Sequence, residues 1–187
     1  MKTVEIRKQA LVQMIASAYE ALRVEICGFL AGEIAKTGKR YYVELAQPLQ
    51  IADRKPGAIE YETRYGERLK KTIERSYDFL GGFHTHLRTR VQKKGEIKMD
   101  RGRVKLGKFD YRLMRDDYPK GIEIVLAVNP DKEVHPPSQS EYRIIGYLPD
   151  CRRNWRFEIG AYYLNSHIRK RKARIEVSRK TLKDVFD

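Results

Sequence analysis

The chain has 187 residues and carries 39 Lys and Arg against 25 Asp and Glu, a formal net charge of +14. That length suffices for one well-buried core, and no Pro/Gly/Ser-rich linker divides it. Two cysteines, Cys27 and Cys151, exclude a disulfide framework and point to a reducing, cytoplasmic compartment; the apolar stretch Ala10 to Leu22 is interrupted by Gln13, Tyr19 and Glu20, which fits a core helix and excludes a membrane span.

In chain order, residues 2–7 read as a short strand and 8–22 as an amphipathic helix with Leu11, Ile15 and Leu22 inward. Val24 to Glu33 and Tyr41 to Pro48 read as strands, joined by the turn Lys36-Thr37-Gly38-Lys39. In the first of them Glu25 interrupts an otherwise apolar run, Val24-Glu25-Ile26-Cys27-Gly28-Phe29-Leu30, with Cys27 and Phe29 on its own face. Burial there would raise its pKa toward the range of a general base; the alternative is a strand-start carboxylate in solvent. A helix is expected over 62–76, with Tyr65, Leu69 and Ile73 four apart.

Next comes Phe79-Leu80-Gly81-Gly82-Phe83 followed by His84-Thr85-His86, which holds two of the chain's four histidines. On a strand, residues two apart share a face, so both imidazoles project to one side with roots roughly 6–7 Å apart, a workable span for two ligands of one metal ion. A hydrolytic zinc site takes a third protein ligand and leaves a position for water. Asp110 fits that role better than Asp100. It lies four after Leu106 and four before Met114, on the apolar stripe of a helix through Leu106, Phe109, Leu113 and Met114, where a carboxylate is costly unless paired or metal-bound. Asp100, in Ile97-Lys98-Met99-Asp100-Arg101-Gly102, has no such stripe and reads as solvated.

A strand follows at 121–129, then a turn-rich connection from Pro130 to Ser140, where His135 reads as a surface residue. Arg143 to Leu148 and Trp155 to Leu164 read as strands, and His167 opens a basic tail. Positive charge concentrates in this tail, around Arg169-Lys170-Arg171-Lys172, and in a basic loop from Arg88 to Lys108, where nine Lys and Arg face only Glu96 and Asp100. Such charge implies an anionic partner, either nucleic acid or an acidic protein surface.

Three blocks, Glu25-Ile26-Cys27-Gly28, Gly82-Phe83-His84-Thr85-His86 and Gly107-Lys108-Phe109-Asp110, together resemble the JAMM (MPN) metalloproteases, over roughly the first helix to Asn129. The family pattern is a Glu before a small pair, then H-[ST]-H-x7-S-x-x-D. The resemblance implies an α/β fold, a three-layer domain over 1–165 with one mixed sheet flanked by helices as in cytidine deaminases, followed by a basic tail at 166–187. It also implies zinc held by His84, His86 and Asp110, with Glu25 as general base. The activity it implies is peptidase or isopeptidase cleavage after the C-terminal tail of a ubiquitin-like protein.

This chain departs from the pattern at three places. Ile97 stands where the family keeps its aspartate, so Asp110 requires a lengthened loop. Leu87 replaces the usual proline after the second histidine. Gly107 replaces the serine whose hydroxyl helps hold the oxyanion, and loss of one such donor typically costs about a hundredfold or more in rate. The competing expectation is a nucleic-acid-associated protein that keeps the fold for binding, with weak or no hydrolysis.

Overall fold

The computed structural model describes residues 1–22, 24–49, 53–55, 58–60, 63–87, 89–93, 96–100 and 102–187, with the backbone alone at 53–55, 58–60, 63–64, 89–93 and 96–100. Its elements begin with β1 (Thr3–Ile6), α1 (Lys8–Glu20), β2 (Cys27–Ile34), β3 (Arg40–Pro48), β4 (Asp53–Lys55), β5 (Ala58–Glu60) and α2 (Thr63–Ile73). There follow β6 (Asp78–Leu87), β7 (Thr89–Lys93), β8 (Glu96–Asp100), α3 (Lys108–Asp117) and β9 (Ile122–Asp131). The chain ends with β10 (Ser138–Ser140), β11 (Arg143–Leu148), β12 (Asn154–Leu164), β13 (Lys170–Glu176) and α4 (Arg179–Phe186).

β12 decides the architecture. One of its edges pairs along its length with β9, from Asn154 opposite Asp131 to Tyr163 opposite Ile122. The other edge is divided, Trp155 to Ile159 pairing with β11 and Ala161 to Leu164 with β13. The two pairings with β9 and β13 close the strands β12-β13-β1-β3-β2-β6-β9 into a seven-stranded barrel, with β11 and β10 as extra strands. The expected three-layer α/β domain, one mixed sheet flanked by helices, is therefore incorrect. The physical reason lies in the stretch expected as a basic tail. Within it Ala173, Ile175 and Val177 are buried and alternate with exposed Lys172 and Arg174, so a strand's two-residue period is hidden under a charge run. That strand supplies the closure, and closure removes the open sheet edges the three-layer arrangement would have.

Residues beyond β13 also join the core. In α4, Leu182 and Phe186 are buried in the same apolar cluster as α1's Leu11, Met14 and Ile15. The Phe186 ring lies 6.3 Å from that of Phe157. It also fills the space a side chain at Gly146 would take.

β9 is buried on both faces, which explains its nearly continuous apolar sequence. Ile122, Ile124, Leu126 and Val128 join Leu80, Phe83 and Leu87 of β6 in the main core. The opposite face carries Glu123, Val125, Ala127 and Asn129, and there Val125 packs with Leu106, Met114 and Tyr118 under α3. α3 thus roofs a patch of the barrel's outer wall, and the histidines lie beneath it. The basic stretch from Arg88 to Lys108 is not a plain loop: β7 and β8 pair as an antiparallel hairpin, Thr89 opposite Asp100 and Lys93 opposite Glu96. Arg88, Lys94 and Arg101, and the side chain of Asp100, lie outside the described residues. Among the described residues, no helix is long and apolar enough to cross a membrane.

Phe186→Ala should cost about 3 kcal/mol of stability, since it empties an aromatic-sized site in the core. Urea denaturation followed by circular dichroism measures this; an unchanged midpoint would mean that α4 docks without contributing to the barrel.

Candidate metal centre

His84 and His86 stand on the outer face of β6, with Gly82 on the same face one residue pair earlier. Thr85 points the other way and is almost fully buried. Its Oγ1 accepts from the Ile26 amide at 2.9 Å, and its own amide donates to the Ile26 carbonyl at 2.9 Å. This double bond pins the chain just ahead of β2 against the histidine strand, which brings Glu25 to the imidazoles. Glu25 does not lie within a strand as expected, because β2 begins only at Cys27. It is half-buried and lines a cavity of about 330 Å³ together with His84, His86 and Asp110.

Each imidazole has its Nδ1 committed. His84 Nδ1 donates to Glu123 Oε1 at 2.6 Å, and His86 Nδ1 donates to the Arg103 carbonyl at 2.7 Å. Both Nε2 atoms therefore face the cavity, 3.2 Å apart. His84 Nε2 also lies 3.4 Å from Asp110 Oδ2. A tetrahedral ion with bonds of about 2.0–2.1 Å sets its ligand atoms roughly 3.3–3.4 Å apart, so these two spacings fit one shared ion. Donor atoms of all three residues fall within 4.8 Å of one another. Fixing of the second ring nitrogen by a carboxylate or a carbonyl is the usual support for a metal-binding histidine.

Asp110 reaches this point from the third residue of α3. Gly107 is the N-cap, and its amide donates to Asp110 Oδ2 at 2.7 Å, which orients the carboxylate. The helix-stripe reading of Asp110 is met only at Met114, which is buried: α3 begins at Lys108, so buried Leu106 precedes the helix, and Phe109 is 51% exposed and turns to the cavity mouth. The segment ahead of α3 is tied down carbonyl by carbonyl. Gly102 accepts from Asn129, Arg103 from His86, Val104 from Tyr162 and Leu106 from Lys170.

Two residues of the site were not expected from the sequence. Glu123 is 3% exposed, and its second oxygen accepts from the Tyr118 hydroxyl at 2.5 Å. Its signal was present in Ile122-Glu123-Ile124-Val125, a carboxylate in an apolar strand, the same signal that singles out Glu25. Gly82 lies opposite Glu123 across the parallel β6–β9 pair. A Cβ at Gly82 would meet Glu123 Oε2 at 2.7 Å and the Tyr118 hydroxyl at 2.9 Å, so glycine leaves the room this pair needs. The other histidines stand elsewhere: His135 is exposed beside Glu133, and His167 is exposed in the turn after β12.

Electrostatics follow from this packing. Burial alone would lower the His84 pKa; the hydrogen bond and charge of Glu123, then the carboxylates of Asp110 and Glu25, overcome it and push the value up to about 9. Glu25 is raised above the usual carboxylate range by burial, against the lowering pull of His86, His84 and the Leu87 amide. A half-buried carboxylate with a raised pKa beside a candidate metal site suits proton transfer.

No protein-family model matches this chain, and no curated protein matches it. Among solved structures, the chain is similar to the solution structure of protein DSY2949 from Desulfitobacterium hafniense, a structural-genomics target. The two superpose with a TM-score of 0.58 at 18% identity, over 94% of this chain and 92% of that one. A likeness at this identity shows the fold alone.

Two outcomes are expected of the centre. Glu123→Gln should weaken zinc binding by about 10–100-fold, since the amide supports the His84 ring less well than a carboxylate; competition with a chromophoric chelator measures it. A divalent ion must also displace the proton that His84 holds up to about pH 9. Zinc affinity should therefore rise about tenfold per pH unit between pH 6.5 and 8.5 and level off above 9. The sign for stability is opposite. Protonated His84 stabilises the fold fully below its ordinary value near 6.5, and that contribution is lost as pH rises through about 9. An affinity flat across this range would mean that His84 is not a ligand.

Proposed function

We propose that this chain is a zinc-dependent hydrolase of the JAMM type that cleaves peptide or isopeptide amides. The observation that carries the reading is the convergence of His84 Nε2, His86 Nε2 and the Asp110 carboxylate within 4.8 Å, each oriented by its own hydrogen bond, with Glu25 on the same cavity. Zinc held there supplies a Lewis acid that polarises the scissile carbonyl and brings the ionisation of water toward neutral pH. Glu25 takes a proton from the attacking water as the C–O bond forms. It then returns that proton to the amide nitrogen as the C–N bond breaks, so no net proton remains on the carboxylate. Glu123 and Tyr118 hold the His84 ring, and the Arg103 carbonyl holds His86. The JAMM resemblance extends the substrate to the C-terminal tail of a ubiquitin-like protein. Two cysteines, too few for a disulfide framework and one of them exposed, support a cytoplasmic location.

Gly107 shapes how the missing serine bears on this reading. A Cβ at that position would meet Asp110 Oδ2 at 2.8 Å, so a serine there displaces the third ligand unless the carboxylate shifts. Oxyanion donation and ligand placement are therefore coupled at this residue.

A second reading is favoured by one surface feature. The Tyr111 hydroxyl donates to the Ile168 carbonyl, and Lys170 Nζ to that of Leu106, which join the turn between β12 and β13 to α3. Exposed Lys105, Lys108 and Arg112 thereby come beside exposed Arg169, Lys170, Arg171 and Lys172. This basic surface borders the cavity and suits nucleic acid, with the fold used for binding.

Glu25→Gln should keep zinc and fold but remove cleavage of an amide-linked ubiquitin-like fusion, because the amide cannot accept the proton. Elemental analysis and gel-based cleavage decide it, and wild-type turnover by the variant would sink the general-base assignment. For the second reading, the Arg169→Glu/Arg171→Glu variant should weaken binding of single-stranded RNA and flatten its salt dependence, read by fluorescence anisotropy. A steep salt slope with an acidic ubiquitin-like protein, and none with RNA or DNA, would favour the hydrolase.

A further inference from the structure

The cavity that holds the metal triad continues beyond it into an apolar lobe. Along β2, Cys27 lies opposite His84 and Phe29 lies opposite Gly82. One residue pair further from the histidines, therefore, the floor offers Phe29 on β2 and no side chain on β6. Gly82 itself is covered by the Glu123 carboxylate and the Tyr118 hydroxyl, which form the polar flank of the lobe. α3 roofs it with Leu113, one turn after Asp110, and with Phe109 at the mouth, while Leu49 closes the far side. The floor is rigid. Phe29 meets Phe79 edge-on at 5.3 Å between ring centroids, and Phe79 meets Tyr118 edge-on at 5.9 Å, a chain that ends on the hydroxyl bonded to Glu123.

The geometry points to an apolar subsite: the lobe takes a leucine- or phenylalanine-sized side chain, or an equivalent acyl group, immediately beside the amide acted on. This rests on the hydrolase reading and names the substrate class of that site. About 330 Å³ in all, at the lower end of ligand-pocket volumes, is more than a metal ion, its water and a glycine-flanked amide fill. Water left against Phe29, Leu49 and Leu113 would have few polar partners, so an apolar group that displaces it gains the burial free energy of one side chain, about 1.5–3 kcal/mol. That converts to about a 10–150-fold preference, the range over which hydrophobic pockets discriminate. A ubiquitin-like tail on one side of the bond is compatible with this subsite, provided the residue on the other side is bulky and apolar.

Hydroxamic acids test the subsite without turnover, because the hydroxamate binds zinc and the acyl group probes the lobe. Acetohydroxamic, 4-methylpentanohydroxamic and 3-phenylpropanohydroxamic acids are titrated into the zinc-loaded chain by calorimetry, with zinc content measured on the same sample. The two larger acids should bind at least tenfold more tightly than acetohydroxamic acid. Leu113→Trp, which fills the lobe, should remove that preference and leave acetohydroxamic acid unchanged. Phe109→Ala, at an exposed position that does not threaten folding, should reduce it by a few fold. Equal affinity across the series with zinc bound, or a preference untouched by both variants, overturns the subsite and leaves the metal centre standing. Failure to load zinc overturns the hydrolase reading and the subsite with it.

Discussion

Two imidazole nitrogens that face each other at 3.2 Å, each with its ring partner already spent on a hydrogen bond, are stable only with positive charge between or beside them. Two neutral rings with both Nδ1 atoms donating would point lone pairs at one another. The fold answers this with a nearby set of acids: Glu123 behind His84, Asp110 across the cavity and Glu25 alongside. Those carboxylates hold a proton on His84 up to about pH 9. In the proposed reading a divalent ion takes the place of that proton, and the donor spacings are already close to tetrahedral edges. The site is thus built around positive charge, a proton on His84 or, in the proposed reading, a divalent ion.

The ligands are placed by regular elements, which makes the site rigid. His84 and His86 belong to a barrel strand hydrogen-bonded on both sides, by β2 and by β9. Asp110 sits in the first turn of α3, and the segment leading to it is fixed through four successive contacts to backbone carbonyls. One of these is the His86 ring itself. Among the described residues, the insertion between His86 and Asp110 is coupled to the ligands through its last part, Gly102 to Leu106.

The sequence showed the site more clearly than the fold, for physical reasons. Histidines two apart on a strand, weak alone, and two acids set in apolar surroundings are local patterns that gain weight together, and the structure brings His84, His86, Asp110 and Glu25 to one cavity. Glu123 carries the same kind of signal but lies in a strand whose apolar neighbours read as core. Barrel closure was not legible, because it rests on the non-local pairing of β12 with β9 and on a strand disguised by Lys170, Arg171, Lys172 and Arg174. Charged residues on the wet face of a strand say nothing against the strand. The informative positions were Ala173, Ile175 and Val177, each small or β-branched and each buried.

Closure and site are connected through β9. Because β12 pairs with β9 on its outer edge, β9 is an interior strand of the barrel and its register against β6 is fixed on both sides. That register sets Glu123 opposite Gly82 and Val125 opposite His84. A slip of one residue would turn Glu123 into the apolar core and expose His84 to Ile124, so the cost of a buried, unpaired carboxylate enforces the pairing. The glycine at 82 is the complementary half of this device. It leaves space for the carboxylate and the Tyr118 hydroxyl, which fill the position a Cβ would take. One absent Cβ thus serves the support of His84, because a side chain at Gly82 would displace the Glu123 carboxylate that holds the ring.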